Sequence, residues 1–466
     1  MGGKPPTRLC WLRALAPSAR RAPHQHTPLP PCGGHPRNAP KLASFNPSYE
    51  GFFCFQIAFF HDFTLTTNAM SHISGFHRLS IDKRRQALLA ISSEDTLSDL
   101  LVENTNDIMP ALDRMSENVV GAFCQPLSVL TSVSVNALSR PVALVTEEPS
   151  VVAAANAASA LFERCGGVRA HYCQPVTSAQ IVLVTDDPMQ AMDFSARLAC
   201  MRDKWLYIAN ASDPGLIAAG GGAFDISFEC MNRAGFKSTF IVGTLDVHTV
   251  DIMGANAVNT MAEAVLSAIE REFLLATPHS GVERLMAILT NASPGRIVQA
   301  TISLPFSALD QYKKNVPGQR LAQKLEYASQ LALVCPQRAV THNKGILNGI
   351  FAAAAPLAQD TRAIAASAID FACQSGTHKP LAVWQIHENA LQGILTMPIV
   401  AGYVGGTTHA TPAIAAAFEL AHIHSYEDLC GVLTAIGLAQ NFAALAALVT
   451  EGIQAGHMKL HARKSN

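Results

Sequence analysis

The 466-residue chain has little charge, and what it has is balanced: 15% of its residues are Asp, Glu, Lys or Arg, and the net charge is −1. There is no global basic field to drive nucleic-acid binding and no acidic tail to solvate the chain. Eleven cysteines run from Cys10 to Cys430 without one CxxC pair. That odd, scattered set argues against a disulfide framework and against a zinc site. The expectation is buried thiols in a reducing compartment, with a cytoplasmic location as the default and no metal. No apolar run is expected to approach the ~20 residues that span a bilayer. The strongest candidate, Phe52 to Phe60, is short and interrupted by Gln56. With no GxSxG elbow, a hydrolase lacks its best signal. Apolar residues are plentiful at 49%, enough for a large core, and they exclude a chain disordered over most of its length. The length suits two or three domains at ~100–200 residues each.

The start of the chain differs from the rest. Lys4, Arg8, Arg13, Arg20, Arg21, Arg37 and Lys41 precede the first acid, Glu50, and nine prolines lie between Pro5 and Pro40. Such a stretch cannot offset its ordering entropy with a core. Its prolines also break the amphipathic helix of a transit peptide. The plainest reading of residues 1–69 is sequence lying upstream of a start at Met70; a disordered tail and a targeting segment are the alternatives.

From Arg78 to about Leu112 the pattern is helical, with Ile81, Leu88, Leu89 and Ile91 near one stripe. Strand signals run from Val129 to Val145, broken at "NALSRP", then over "QIVLVTDD", "FIVGTLDVHTV" and "GRIVQATISL". Helices are expected over 188–204 and 254–272, and mostly alanine-rich helix after Lys344. The order of elements between about 175 and 285 fits a small α/β layer.

Several segments could carry chemistry. In "DIMGANAVNTMAEAV", Asp251 reads as a helix N-cap and Gly254 as a point of close backbone approach, with Asn256 and Asn259 on one face. Strand, glycine turn and helix N-terminus together can hold a pyrophosphate, although an ordinary capped junction has the same look and GxGxxG is absent. The glycines 220–222 suit a tight turn or a ligand contact, and Asp213 lies seven residues upstream of them. A carboxylate there could accept from a ribose 2′-OH, while Asp-Pro-Gly is also an ordinary turn. Glu147 and Glu148 precede Pro149 at a helix start, as candidate acids or as partners of the helix dipole. "CPQRAVTHNKGILNGI" holds Arg338, His342, Asn343, Lys344 and Asn348. Lys344 and Asn348 are neighbours on one helix face. The apolar flanks predict a buried lysine with Asp360 as candidate partner, against the alternative of a solvated one.

Taken in order, "ENVVG" (117–121), "EEPSVVAAA" (147–155), the glycines 220–222, "DIMGANAVNTMAEAV" (251–265), "THNKGILNGI" (341–350), "GLAQN" (437–441) and "EGIQAGHMKLHAR" (451–463) resemble the class II, bacterial-type 3-hydroxy-3-methylglutaryl-coenzyme A reductases. The resemblance implies an α/β (α+β) fold. A large helical CoA- and substrate-binding domain (70–174 and 286–445) would carry an inserted small ferredoxin-like NAD-binding domain (175–285). A shortened C-terminal flap (446–466) would follow.

It also implies two hydride transfers that interconvert 3-hydroxy-3-methylglutaryl-CoA and mevalonate plus CoA. In the implied roles Lys344 stabilises the oxyanion, Glu148 donates a proton to the carbonyl oxygen, Asp360 tunes both, and His457 protonates the CoA thiolate. Ser150, Arg338, Asn348 and Gln440 would bind substrate. Asp251, Gly254, Asn256, Asn259 and Asn291 would bind the dinucleotide, with Asp213 favouring NADH over NADPH. A homodimer joined through "ENVVG" is implied, with no nucleic-acid or membrane partner. Phe224 departs from the family's arginine, and Thr411 stands where a histidine is usual. The chain stops nine residues after His457, which raises the alternative of a catalytically impaired homologue that binds CoA thioester and dinucleotide.

Overall fold

The computed structural model of the chain describes residues 73, 75–101, 105–275 and 281–452. Residues 1–69, His457 and His461 lie outside the described residues. The helical pattern after Arg78 resolves into three short helices: α1 (Ile81–Leu88), α2 (Glu94–Leu100) and α3 (Met109–Met115). Ser80 and Ser93 start the first two by accepting backbone N–H bonds from Lys83 and Thr96.

A hairpin follows, β1 (Leu127–Val135) and β2 (Leu138–Val145), turning at Asn136 and Ala137, both with positive φ. The left-handed pair is what a two-residue turn needs to match strand twist. Asn136 also exchanges two hydrogen bonds with the Ala170 backbone, docking the hairpin. Helix α4 (Pro149–Arg164) leads to β3 (Arg169–Tyr172), the edge of a larger sheet.

The chain then builds a smaller layer. It runs through β4 (Val176–Thr185), α5 (Pro188–Ala199), α6 (Arg202–Ser212), α7 (Pro214–Ala218), β5 (Gly222–Met231), β6 (Thr239–His248), α8 (Ala255–Ile269) and β7 (Glu283–Leu289). The sheet order is β5-β6-β4-β7, and every pair is antiparallel. Two split β-α-β units interleaved in this way make a ferredoxin-like layer. Strand β4 alternates in burial, so one face is free to pack on α5 and α8. Trp205, Ala209, Met261, Val265 and Leu266 fill a core of their own there. The single helix expected over 188–204 is two helices, broken at Cys200–Met201.

The main core is larger. Its sheet, in the order β3-β8-β10-β9, uses β8 (Ile297–Pro305), β9 (Ala382–His387) and β10 (Ala390–Pro398). Between β8 and β9 come α9 (Phe306–Tyr312), α10 (Gly318–Val334), α11 (Pro336–Ala354) and α12 (Thr361–Cys373); α13 (Pro412–Leu420) and α14 (Tyr426–Val449) close the described chain. The β9–β10 hairpin interrupts the stretch expected to be helix after Lys344. Helix α14 corrects a second expectation. It is long and apolar enough to cross a membrane by length and composition, but 78% of its most apolar window is buried inside the protein. It is the central helix of the main core, packed closely on α11 where Gly349 leaves no room for a Cβ between the helices. Phe442 of α14 meets Phe162, Tyr312 and Trp384 with ring centroids 5.6, 5.2 and 5.3 Å away.

Phe442 is fully buried, so Phe442→Ala leaves a cavity under three rings. The expected cost is about 3–5 kcal/mol, read as a lower denaturant midpoint at unchanged slope. A loss below about 1 kcal/mol would show that the aromatic cluster collapses freely around the gap.

Candidate active site

One cleft lies where the small layer meets the main core. It encloses about 570 Å³ and is lined by Asp213, the turn 252–257, residues 358–360 with Arg362, and the loop 402–408. The turn decides its chemistry. After β6 the chain reaches Gly254 at φ 96°, where a Cβ would come within 2.5 Å of the Thr249 methyl. Only glycine fits that conformation and that space. Gly254 is also the N-cap of α8 and has no side chain to cap with. The first-turn N–H groups of this 15-residue helix therefore line the cleft uncapped, a setting that favours an anion. Asp251 is not the N-cap that its position suggested. Its Oδ1 accepts the Tyr426 N–H at 2.8 Å, and its carbonyl accepts from Tyr403 and Val404. It ties the turn to the head of α14 instead.

Arg296 holds both walls of the cleft, and sequence reasoning missed it. The residue is fully buried. Its guanidinium donates to Thr177 Oγ1 at 2.9 Å, Ala401 O at 2.9 Å, Ile252 O at 2.9 Å, Met253 O at 2.8 Å and to Thr249 Oγ1. It also lies over the Tyr426 ring, 5.2 Å from the centroid. No carboxylate pairs with it among the described residues. The available signal was an arginine directly before the apolar run of "GRIVQATISL".

The other dinucleotide-side candidates are spread out. Asp213 lines the cleft while its Oδ1 caps α7 through the Leu216 N–H at 2.9 Å. Asn256 is exposed on the cleft wall. Asn259 is half-buried, and its Oδ1 accepts the Leu289 N–H at 2.8 Å, which fixes β7. Asn291 is exposed beyond β7. Phe224 is half-exposed, with its carbonyl on Arg202; Thr411 is buried as the N-cap of α13.

On the substrate side, Asp360 is the N-cap of α12 and lines the cleft. Its Oδ1 accepts from the Arg362 and Ala363 N–H groups and from Arg362 Nε at 3.1 Å. The Arg362 hydrogen bond, helped by the two backbone donors, holds the Asp360 carboxyl below its ordinary value. The expected partner, Lys344, is exposed on α11. This corrects the expectation of a buried cation. Helix phase turns His342, Asn343 and Ile346 inward, and Lys344 therefore turns outward. Arg338 and Asn348 are half-buried on the same helix, and Gln440 is buried on α14 with its Oε1 unpaired among the described residues. At the head of α4, Glu148 is the half-buried N-cap, its Oε1 accepting the Ser150 N–H at 3.1 Å, whereas Glu147 is exposed. The cleft thus collects Asp213, Gly254, Asn256 and Asp360. Glu148, Ser150, Arg338, Lys344, Asn348 and Gln440 do not line it.

His342 adds a titrating group. Burial and then the Arg338 charge push it down to about 4, offset only in part by a weak backbone contact with Ala382. Neither ring nitrogen has a well-formed hydrogen bond among the described residues. The unfolded chain takes up this proton below about pH 6.5 and the fold only below about 4. The stability held by neutral His342 is therefore complete above about pH 6.5 and is lost as pH falls toward about 4. Urea midpoints should fall across that window, and His342→Leu should flatten the slope. A variant slope equal to wild type would assign the acid sensitivity elsewhere.

Residues 80–462 match the family described as hydroxymethylglutaryl-coenzyme A reductase. The 3-hydroxy-3-methylglutaryl-coenzyme A reductase of Archaeoglobus fulgidus is 34% identical over 396 residues, covering 84% of this chain and 86% of that protein. The probable 3-hydroxy-3-methylglutaryl-coenzyme A reductase of Borreliella burgdorferi is 31% identical over 389 residues, covering 84% and 85%. Among solved structures, the class II enzyme from Streptococcus pneumoniae, bound to NADPH in open conformations, aligns with a TM-score of 0.73 at 35% identity, covering 81% of this chain and 99% of that one. With its ferredoxin-like layer set against a helical main core and its sequence matched over most of its length, the chain belongs to the hydroxymethylglutaryl-coenzyme A reductase family.

Proposed function

We propose that the cleft at the head of α8 takes the dinucleotide, and that the thioester is reduced beside it by Lys344, Glu148, Asp360 and His457. The reaction is the family's: 3-hydroxy-3-methylglutaryl-CoA and mevalonate plus CoA are interconverted by two hydride transfers. The observation that carries the assignment is the uncapped first turn of α8, held open by Gly254 and Arg296. A pyrophosphate fits there because the donors are backbone N–H groups and the facing loop contributes Gly405 and Gly406. When bound, the dinucleotide supplies the hydride for each reduction.

This chain's own residues manage charge and protons. A carbonyl oxygen gaining negative charge is stabilised most by a preorganised cation, the role of Lys344. Glu148 donates the proton to that oxygen, and Asp360, kept ionised by Arg362, sets the field around both. Arg338 suits the substrate carboxylate by its fork geometry, beside Ser150, Asn348 and Gln440. His457 is the group able to deliver a proton to the leaving thiolate near neutral pH.

Asp213 supports NADH as the preferred cofactor of this chain. Its carboxylate lines the cleft, where it would repel a 2′-phosphate and accept from a free ribose hydroxyl. The Streptococcus pneumoniae enzyme was captured with NADPH, so an NADH preference would set this chain apart from it. A homodimer is supported by Val120 and Phe123, which stand 101% and 89% exposed in and beside "ENVVG". Eight free cysteines among the described residues support a cytoplasmic setting.

Steady-state assays test the cofactor choice. kcat/KM should favour NADH by at least ~10-fold, about 1.4 kcal/mol, and Asp213→Ala should narrow the gap. A wild-type preference for NADPH would overturn it. The catalytic roles separate by substrate. His457→Gln should slow thioester reduction by ~10²–10⁴ and largely spare reduction of added mevaldehyde, which breaks no C–S bond. Lys344→Ala should cripple both. Wild-type thioester reduction in His457→Gln would remove His457 from the mechanism.

A further inference from the structure

Away from the cleft, three side chains at the far end of α12 form a connected relay. Cys373, the last residue of α12, is exposed, and its Sγ lies 3.3 Å from Nδ1 of His378. His378 Nε2 in turn lies 3.0 Å from Nδ2 of Asn343 on α11. The orientation of Asn343, which is buried, is decided by the backbone around it. Its Oδ1 accepts the Leu381 N–H at 2.8 Å, and its Nδ2 donates to the Lys379 carbonyl at 2.8 Å. The atom that faces His378 is therefore an amide NH2, which can only donate. Nε2 of the neutral imidazole must accept, so the ring proton is assigned to Nδ1, where it points at the sulfur. The thiol hydrogen has no place in that contact. The sulfur accepts, and a thiolate accepts best.

We propose that Cys373 is a modification site: an exposed cysteine, with the His378 N–H aimed at its sulfur, that forms mixed disulfides with low-molecular-weight disulfides. This does not depend on the reductase chemistry. The thiolate attacks one sulfur of the small disulfide. The S–S bond breaks as the new bond to Cys373 forms, and the other half leaves with the electron pair as a thiolate that takes a proton from water. Cys373 is oxidised and the departing half reduced, so the exchange balances without a further reagent.

The His378 N–H stabilises the deprotonated sulfur by a hydrogen bond and does not take its proton, because the other ring nitrogen accepts from Asn343. The carbonyl ends of α12 work against an anion at this position. The His378 N–H is the donor that counters them, because the Lys379 ammonium is directed to the Leu333 carbonyl. Among the described residues, no side-chain donor reaches the sulfur of the other exposed cysteines, Cys124, Cys173, Cys200 and Cys230.

The test is site-resolved labelling of the reduced full chain with glutathione disulfide at neutral pH, followed by peptide mass spectrometry over time. Cys373 should be modified at least ~10-fold faster than Cys200 or Cys230, and dithiothreitol should reverse the adduct. His378→Phe keeps the ring and removes the donor, and should bring Cys373 down to the rate of the other exposed thiols. Cys373 reacting no faster than Cys200 in the wild-type protein overturns the proposal, a comparison that needs no variant to fold. An unchanged rate in folded His378→Phe overturns it equally.

Discussion

Among the described residues, a guanidinium buried without a carboxylate joins the small layer to the main core. Taking an arginine out of water costs several kcal/mol, and Arg296 offsets that with hydrogen bonds to two hydroxyls and three carbonyls and with the face of Tyr426. The acceptors come from β4, from the residues after β6, from the turn before α8 and from the loop after β10. Moving the small layer against the main core would strip several of them at once, and each buried group left unpaired carries its full desolvation cost. Asp251 meets the same tyrosine from its backbone side. The first turn of α8 is thereby held open by groups that never touch a ligand. Lysine could not substitute, because three donors on a flexible stem do not span a fork of five acceptors.

Two strands of the small layer, β4 and β6, were legible because they alternate or run in β-branched residues and end at turn signals, whereas β5 and β7 were not. Their pairing order was not visible in composition or periodicity, and only the family resemblance implied a ferredoxin-like arrangement. The β9–β10 hairpin was lost for a physical reason. It is short, it follows a long alanine-rich region, and it carries exposed Gln385 and half-buried Gln392 and Thr396, which weaken the apolar signal. Helix α14 was misjudged in the opposite sense. Gln440, Asn441 and Thr434 make its run look interrupted, yet each side chain is buried. Asn441 accepts from Trp384 Nε1 at 2.8 Å, and Thr434 bonds back to Cys430 O. A polar residue satisfied inside the core reads in sequence like one facing water.

At the site, residue type was legible and residue partner was not. Asp360 was singled out as a carboxylate partner for Lys344, but the cation it meets is Arg362, two residues on. Asn256 and Asn259 were paired by spacing, yet one lines the cleft and the other anchors β7. Spacing fixes which residues share a helix face. It cannot say what lies opposite that face, and the opposite surface decides whether an amide is a ligand or a strut.

The exposure of Lys344 bears most directly on catalysis. An ammonium 4 Å from an oxyanion contributes about 1 kcal/mol in bulk water and about 4 kcal/mol at an effective dielectric near 20. Lys344 on an open face of α11 therefore has little of the electrostatic power the reaction asks of it. That power appears only when water is displaced from the face it shares with half-buried Asn348. Bound thioester supplies part of the cover. In the proposed mechanism Lys344 thus acts only once substrate covers it, whereas the cleft at α8 is already braced by Arg296.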